Sequence, residues 1–160
     1  MQAVKYEFID YDPVLHRSLD NWRSDAISRF AMDDAISEEW QYYLDADEYH
    51  AGVDAFCKAV HLSGQPVAVM IVLCNPDYPV NINPLVVAPE LAGQGHGSAI
   101  LREFAEHIDN ILPSHSGRIE VVIDNENIAA IKAAEKAGFV FAREHPDGDM
   151  AEYKLMLHKP

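Results

Sequence analysis

Apolar and polar residues alternate with a period of two over residues 4–9, which predicts a first strand. Asp12-Pro13 opens a different pattern. Asp is a good helix N-cap and proline suits the first helical position. Leu15, Leu19, Trp22, Ala26, Ile27 and Phe30 then recur at helical spacing, so an amphipathic helix is predicted over 12–32. A second, shorter helix is predicted over 34–47. Residues 53–62 and 65–73 read as the two strands of a hairpin turned at Ser63-Gly64. Asn75-Pro76-Asp77-Tyr78-Pro79 reads as a turn-rich loop. Residues 80–87 form a further central strand, in which Pro84 removes a ladder donor, so a bulge or a local loss of pairing is expected there. A loop over 88–96, a helix over 97–111 and a strand over 118–123 follow. A helix over 127–137 ends at Gly138, and two strands over 139–143 and 150–157 flank a His-Pro-Asp-Gly turn. The predicted order is β-α-α-β-β-β-α-β-α-β-β.

A length of 160 residues fits one domain spanning 1–160, and a 49% hydrophobic share is enough for a core. Disorder, collagen and coiled coil are excluded as overall descriptions. The charge adds more. With 26 Asp and Glu against 12 Lys and Arg, the net charge is −14, which argues against a nucleic-acid partner. The acidity suits either a cationic partner or plain solubility. Residues 33–48 hold seven acids and no Lys or Arg, with Trp40, Tyr42 and Tyr43 among them. Cys57 and Cys74 lie in apolar, strand-like runs without ligand spacing and read as buried free thiols of a reducing compartment. The first residues lack a basic region followed by an apolar stretch, and no run reaches 18 apolar residues. The expectation is a cytoplasmic protein with no membrane partner.

The most informative segment runs from Leu85-Val86-Val87 through Ala88, Pro89 and Ala92 to Gly93-Gln94-Gly95-His96-Gly97-Ser98. A strand enters a glycine-rich loop, and the loop opens an amphipathic helix. Glycines let a backbone approach a ligand closely, and a helix start adds partial positive charge. The pair makes an anion site suited to a phosphate or pyrophosphate. No Lys follows Gly97, so this is not a Walker loop. Its place after the fourth strand also differs from the dinucleotide fingerprint. No Arg or Lys lies in the loop, so backbone donors carry the binding.

A second segment, Asn127, Ala130, Glu135, Gly138 and Phe139, opens and closes the later helix. With Val87, Pro89, Gly93, Gly95 and Gly97, it resembles the paired motifs of the GNAT superfamily of acyl-CoA-dependent N-acyltransferases. The element order resembles that fold too: a single-domain α/β (α+β) architecture with a mixed, mostly antiparallel sheet and helices on both faces. The resemblance implies an N-acetyltransferase that moves acetyl from acetyl-CoA to a primary amine by direct attack. The alternative is an acyl-CoA-binding module with little catalysis. It also implies that Gly93, Gln94, Gly95, His96, Gly97 and Ser98 cradle the pyrophosphate of coenzyme A. Leu85, Val86 and Val87 would pair with the pantetheine arm in a splay between this strand and 118–123. Asn127 would meet the arm or cap its helix. A backbone N–H near Val87 would stabilise the oxyanion.

Two positions depart from the family. Ala92 stands at its Arg/Gln position. Ala134 stands at the tyrosine that many members use as general acid. A thiolate of pKa about 8.5 is a tolerable leaving group without that acid. Asn81 and Asn83 share a strand face and could orient an amine or a water. Glu38, Glu39, Asp77 and Tyr78 are candidate bases. Glu38, Glu39, Trp40, Tyr43 and Tyr78 are candidate acceptor contacts through charge and cation–π attraction; the alternative is a solvated helix face with its aromatics in the core. His96 reads as a phosphate contact or a simply exposed residue. His50, His61, His115 and His145 show no metal spacing, so no metal is expected. The partner is then a small amine, and the resemblance allows a homodimer through the last strands.

Overall fold

Strands β1 (Glu7–Asp10), β2 (Asp54–Leu62), β3 (Gln65–Asn75), β4 (Tyr78–Val87), β5 (Arg118–Asp124), β6 (Val140–Glu144) and β7 (Met150–Met156) build one seven-stranded sheet. Its order is β1-β2-β3-β4-β5-β7-β6. All neighbours are antiparallel except β4 and β5. The computed structural model describes residues 5–22, 35–45, 53–146 and 148–157. Its α-helices are α1 (Ile36–Asp45), α2 (His96–Glu106), α3 (Ile108–Ile111) and α4 (Ile128–Lys136), and short 3-10 turns cover Arg17–Asn21 and Pro89–Leu91. None of the described helices is long and apolar enough to cross a membrane.

Strand alternation divides the apolar residues between two faces. On one face, Ile119, Val121 and Ile123 of β5 join Val80 and Ile82 of β4. They pack against Ile100, Leu101 and Phe104 of α2 and Ala134 of α4. On the other face, Cys57, Ala59, Val69, Ile71 and Val86 are covered by Tyr11, Leu19 and Ile36, with Trp40 and Tyr43 of α1 alongside. The expected architecture, a mixed sheet with helices on both faces, is therefore present.

Local rules explain the strand joints. Ser63 and Gly64 have φ of 52° and 79°, the left-handed pair that a tight two-residue hairpin turn requires. Met70 pairs Leu85 while Val72 pairs Ile82, so Asn83 and Pro84 together oppose Ile71 alone. This is the bulge expected at the proline, which cannot donate to β3. It resets the alternation, and Ile82 and Leu85, three residues apart, both face the α2 side.

The helix predicted over 12–32 is corrected where it is described. Asp12 does accept from the N–H groups of Val14 and Leu15 (2.8 and 3.1 Å), but the chain then forms turns and only a 3-10 segment at Arg17–Asn21. The reason is His16. Its Nδ1 accepts from the Asp12 N–H, its ring stacks on Tyr11, and its Nε2 meets His61 Nε2 at 3.1 Å. Burying His16 leaves Leu15 72% exposed while Leu19 enters the core, so these two leucines do not share a helical face. Ala26, Ile27 and Phe30 lie outside the described residues. Three boundaries also move. Tyr78 and Pro79 belong to β4 rather than to a loop. The loop after β4 contains a 3-10 turn. The helix predicted over 97–111 is two helices broken at His107.

Candidate active site

The parallel ladder between β4 and β5 consists of Val80↔Ile119 and Asn81↔Glu120. Beyond it β5 continues to pair with β7 as far as Asp124↔Met150, while β4 stays with β3 through Val87↔Ala68. The two strands therefore separate into a V that is closed at Asn81 and open toward Val87. At about 3.3 Å per residue, the free edge from Ile82 to Val87 is roughly 16 Å long. Ala88 N–H donates to Val67 O at 2.8 Å. Because hydrogen-bonded positions alternate along an antiparallel pair, the N–H groups of Val87 and Leu85 point away from β3 and into the V.

At its open end the V meets the glycine loop. Gly93 and Gly95 have φ of 79° and 85°, a conformation that L side chains rarely adopt. A Cβ built on either would meet nothing within 4 Å, so both border open space. Gly97 differs: a Cβ there would lie 3.7 Å from Ala133 Cβ, so this glycine faces α4 rather than open space. Ala99 N–H makes the first bond of α2, to Gly95 O. Among the described residues, no acceptor is bonded to the N–H groups of Gly93, Gln94, Gly95, His96, Gly97 or Ser98. Ser98 is buried with its hydroxyl on Gly95 O (3.2 Å), and Gln94 Nε2 donates to Glu90 O (3.3 Å), so both side chains brace the loop. The unpaired donors, the open space at the glycines and the helix start together fit a pyrophosphate group, and the V fits an extended arm running from it.

His96 is half-buried at the first turn of α2, and its Nδ1 lies 2.8 Å from the hydroxyl of fully buried Tyr6. When the Tyr6 hydroxyl donates to Nδ1, the ring's other nitrogen, Nε2, is the one left to donate to an anion. Glu103 Oε1 accepts from the N–H groups of Lys5 and Tyr6 and ties this segment to α2. Tyr6 was missed from sequence because the contact spans 90 residues. Asn127 caps α4 by accepting from Ala130 N–H at 3.2 Å.

At the closed end, a polar group stands on the α1-side face of the sheet. Ile119 and Val121 face α2, so Glu120 between them faces the other way. Glu152 of β7 lies diagonally across from it and is only 7% exposed. Arg143 of β6 donates to both oxygens of Glu152, from Nε and from Nη2 (3.2 Å). The guanidinium holds the Glu152 carboxyl below the ordinary range. Burial, and then the neighbouring Glu152, push the Glu120 carboxyl upward. Neither glutamate has a motif around it, and no signal in the sequence singles them out. Asn81 sits on the same rung as Glu120, half-buried. The side chain of Asn83 lies outside what is described.

The predicted acceptor residues are not gathered there. In α1, Trp40 and Tyr43 pack on the second apolar cluster, Glu39 is half-buried, and Glu38 is exposed. Tyr42 is exposed with its ring edge against Tyr43. Tyr78 starts β4 at the end away from the glycine loop and is exposed, next to the Asp77 turn. Asp33, Asp34, Asp47 and Glu48 lie outside the described residues, as does the side chain of Asp45. Cys57 and Cys74 are buried free thiols, and burial pushes Cys57 up to about 12. Both are therefore poor nucleophiles.

The Acetyltransferase (GNAT) family model matches residues 17–139. Solved structures share the fold. An aminoglycoside acetyltransferase, AAC(6')-Ib, in complex with coenzyme A superimposes with a TM-score of 0.73 at 17% identity, covering 94% of each chain. A spermidine N-acetyltransferase chimera of Vibrio cholerae SpeG and hSSAT gives 0.68 at 14% identity, with 95% of each chain covered. The N-acetyltransferase PseH of Campylobacter jejuni, in complex with acetyl coenzyme A, gives 0.65 at 15%, covering 94% of this chain and 98% of that one. A comparison with curated protein sequences finds no match.

Proposed function

The chain belongs to the GNAT acetyltransferase family, and from that premise we propose that it transfers acetyl from acetyl-CoA to a primary amine of a small cationic molecule. The carrying observation is the pair of unpaired N–H sets that face one another across the open end: those of Leu85 and Val87 on the inner edge of β4, and those of Gly93 to Ser98 in the glycine loop and first turn of α2. Acetyl-CoA supplies an activated acyl carbon on a thiolate leaving group. Every other contribution comes from the chain.

Gly93, Gln94, Gly95, His96, Gly97 and Ser98 hold the pyrophosphate through backbone donors, and the His96 Nε2–H adds one side-chain donor. Leu85 and Val87 present their N–H groups to the pantetheine arm. Two buried thiols, one raised to about 12, favour direct transfer over an acyl-enzyme. An ammonium acceptor suits the acidic surface of α1, where Glu38 and Tyr42 are exposed. The relatives that act on aminoglycosides and spermidine support this class.

Ala134, 1% exposed at the family's tyrosine position, favours a second reading: an acyl-CoA-binding module. One experiment separates the two. Free-thiol release from acetyl-CoA is followed over a panel holding kanamycin, spermidine, a neutral alkyl alcohol and a peptide with a free N-terminus. Release with the polyamine or aminoglycoside, and none with the alcohol, is expected. Tight coenzyme A binding by calorimetry without release across the panel overturns the enzyme reading.

A further inference from the structure

We propose that Glu120 is the group that takes the proton from the acceptor amine, with Glu152 and Arg143 as the residues that position it. The inference rests on the acetyl-transfer reading and supplies the base that reading lacks.

Position carries it first. Asn81↔Glu120 is the last rung before β4 and β5 part, so Glu120 stands where the slot for the pantetheine arm closes. The slot runs roughly 16 Å along the β4 edge from Val87 to Ile82, and the reactive end of an extended arm comes down toward that rung. Strand alternation turns Glu120 away from α2 and α4. It faces the side on which α1 lies, opposite the core packed under α2 and α4. The other candidate carboxylates are elsewhere. Glu38, exposed, and Glu39, half-buried, lie on α1, which packs over β2. Asp77 lies in the β3–β4 turn, where its N–H is held by Asn75 Oδ1 at 2.8 Å.

The surroundings then set the chemistry. Arg143 fixes the charge of Glu152 as a carboxylate by two hydrogen bonds. Burial first, and then that fixed charge beside it, make Glu120 hold its own proton more tightly. The Arg143 guanidinium, and then Arg118 on β5, act in the other direction; Lys154, directly opposite on β7, is exposed. A carboxylate made more basic is better matched to an alkylammonium than an ordinary one.

The step balances. The bound ammonium gives one proton to the Glu120 carboxylate and becomes a neutral amine. Its lone pair forms the N–C bond to the acetyl carbon, and the C–S bond breaks with its electron pair on sulfur. The second nitrogen proton goes to the thiolate, giving amide and free thiol, and Glu120 returns its proton to solvent.

The test uses acetyl-CoA with each amine of the panel above and reads kcat, KM and the acidic limb of kcat/KM. Glu120→Gln, nearly isosteric, should lower kcat about 10²- to 10⁴-fold with the KM for acetyl-CoA unchanged. Glu152→Gln removes the neighbouring negative charge, lowers the Glu120 pKa and moves the acidic limb to lower pH. Arg143→Gln removes the guanidinium that offsets that charge and moves the limb to higher pH. A purely structural trio would not shift the limb in opposite directions. Carboxyl NMR titration gives an acceptor-free readout: Glu120 should titrate above the ordinary glutamate value, and lower again in Glu152→Gln. Wild-type kcat in Glu120→Gln, an unmoved limb in both other variants, or an ordinary Glu120 titration overturns the role. Wild-type protein that releases thiol with no amine overturns the acetyl-transfer reading itself, and the role of Glu120 with it.

Discussion

The two ends of one strand edge are built differently. At the open end of the V, Gly93 to Ser98 offers backbone N–H groups, with no Lys or Arg in the loop. At the closed end, Glu120, Glu152 and Arg143 come from three strands and present side chains whose protonation depends on one another. Backbone donors do not titrate, and they tolerate a changed side chain provided φ is preserved. Carboxylates titrate, and their basicity follows the nearest charge. On the roles proposed above, the architecture separates holding the cofactor from moving a proton, and a chain of net charge −14 would meet an anion at a loop that itself carries no Lys or Arg.

The sharpest test of that division is the Glu120→Gln variant, whose expected 10²- to 10⁴-fold loss of kcat should leave coenzyme A affinity untouched. Equal losses in both would merge the two ends. Next in size is Gly95→Ala. Forcing a Cβ into a left-handed position costs about 1–2 kcal/mol, so coenzyme A should bind roughly 5- to 30-fold more weakly by calorimetry. Its acidic limb should stay in place. Tyr6→Phe removes the hydroxyl from His96 Nδ1 and frees the imidazole to change tautomer. One hydrogen bond of about 0.5–1.5 kcal/mol predicts a loss of coenzyme A affinity of roughly 2- to 12-fold. No loss would show that the loop needs no side-chain donor at all. The smallest effect is that of salt. With no cation in the loop, raising ionic strength from about 50 to 500 mM screens only the general repulsion of an acidic protein. The KM for acetyl-CoA should stay constant or fall slightly, and a steep rise would reveal a Lys or Arg clamp.

Much of the fold could be read along the chain, and for local reasons. The Ser63-Gly64 turn, the bulge at Pro84 and the Asn127 cap each depend on one or two residues and their own backbone. The first predicted helix failed over 12–22 because buried His16, in contact with half-buried His61, outweighed the leucine spacing. That contact joins segments 45 residues apart, which no periodicity can register. The acid-aromatic run was legible as a short helix, and of its two readings the solvated face with aromatics in the core agrees with Trp40 and Tyr43 packing against the sheet.

By itself the sequence determined the strands, their turns and bulge, and the glycine loop, because φ preference, proline's missing donor and the first turn of a helix are settled by neighbours in the chain. The tertiary structure alone decided where β4 leaves β5, that Tyr6 reaches His96 across 90 residues, and that Glu120, Arg143 and Glu152 share one face. Those depend on strand register. The Glu120–Glu152 meeting requires β7 to lie beside β5, and Arg143 requires β6 to lie beyond it. Pairing between distant strands is selected by burying both faces of the sheet at once, a property of the folded whole.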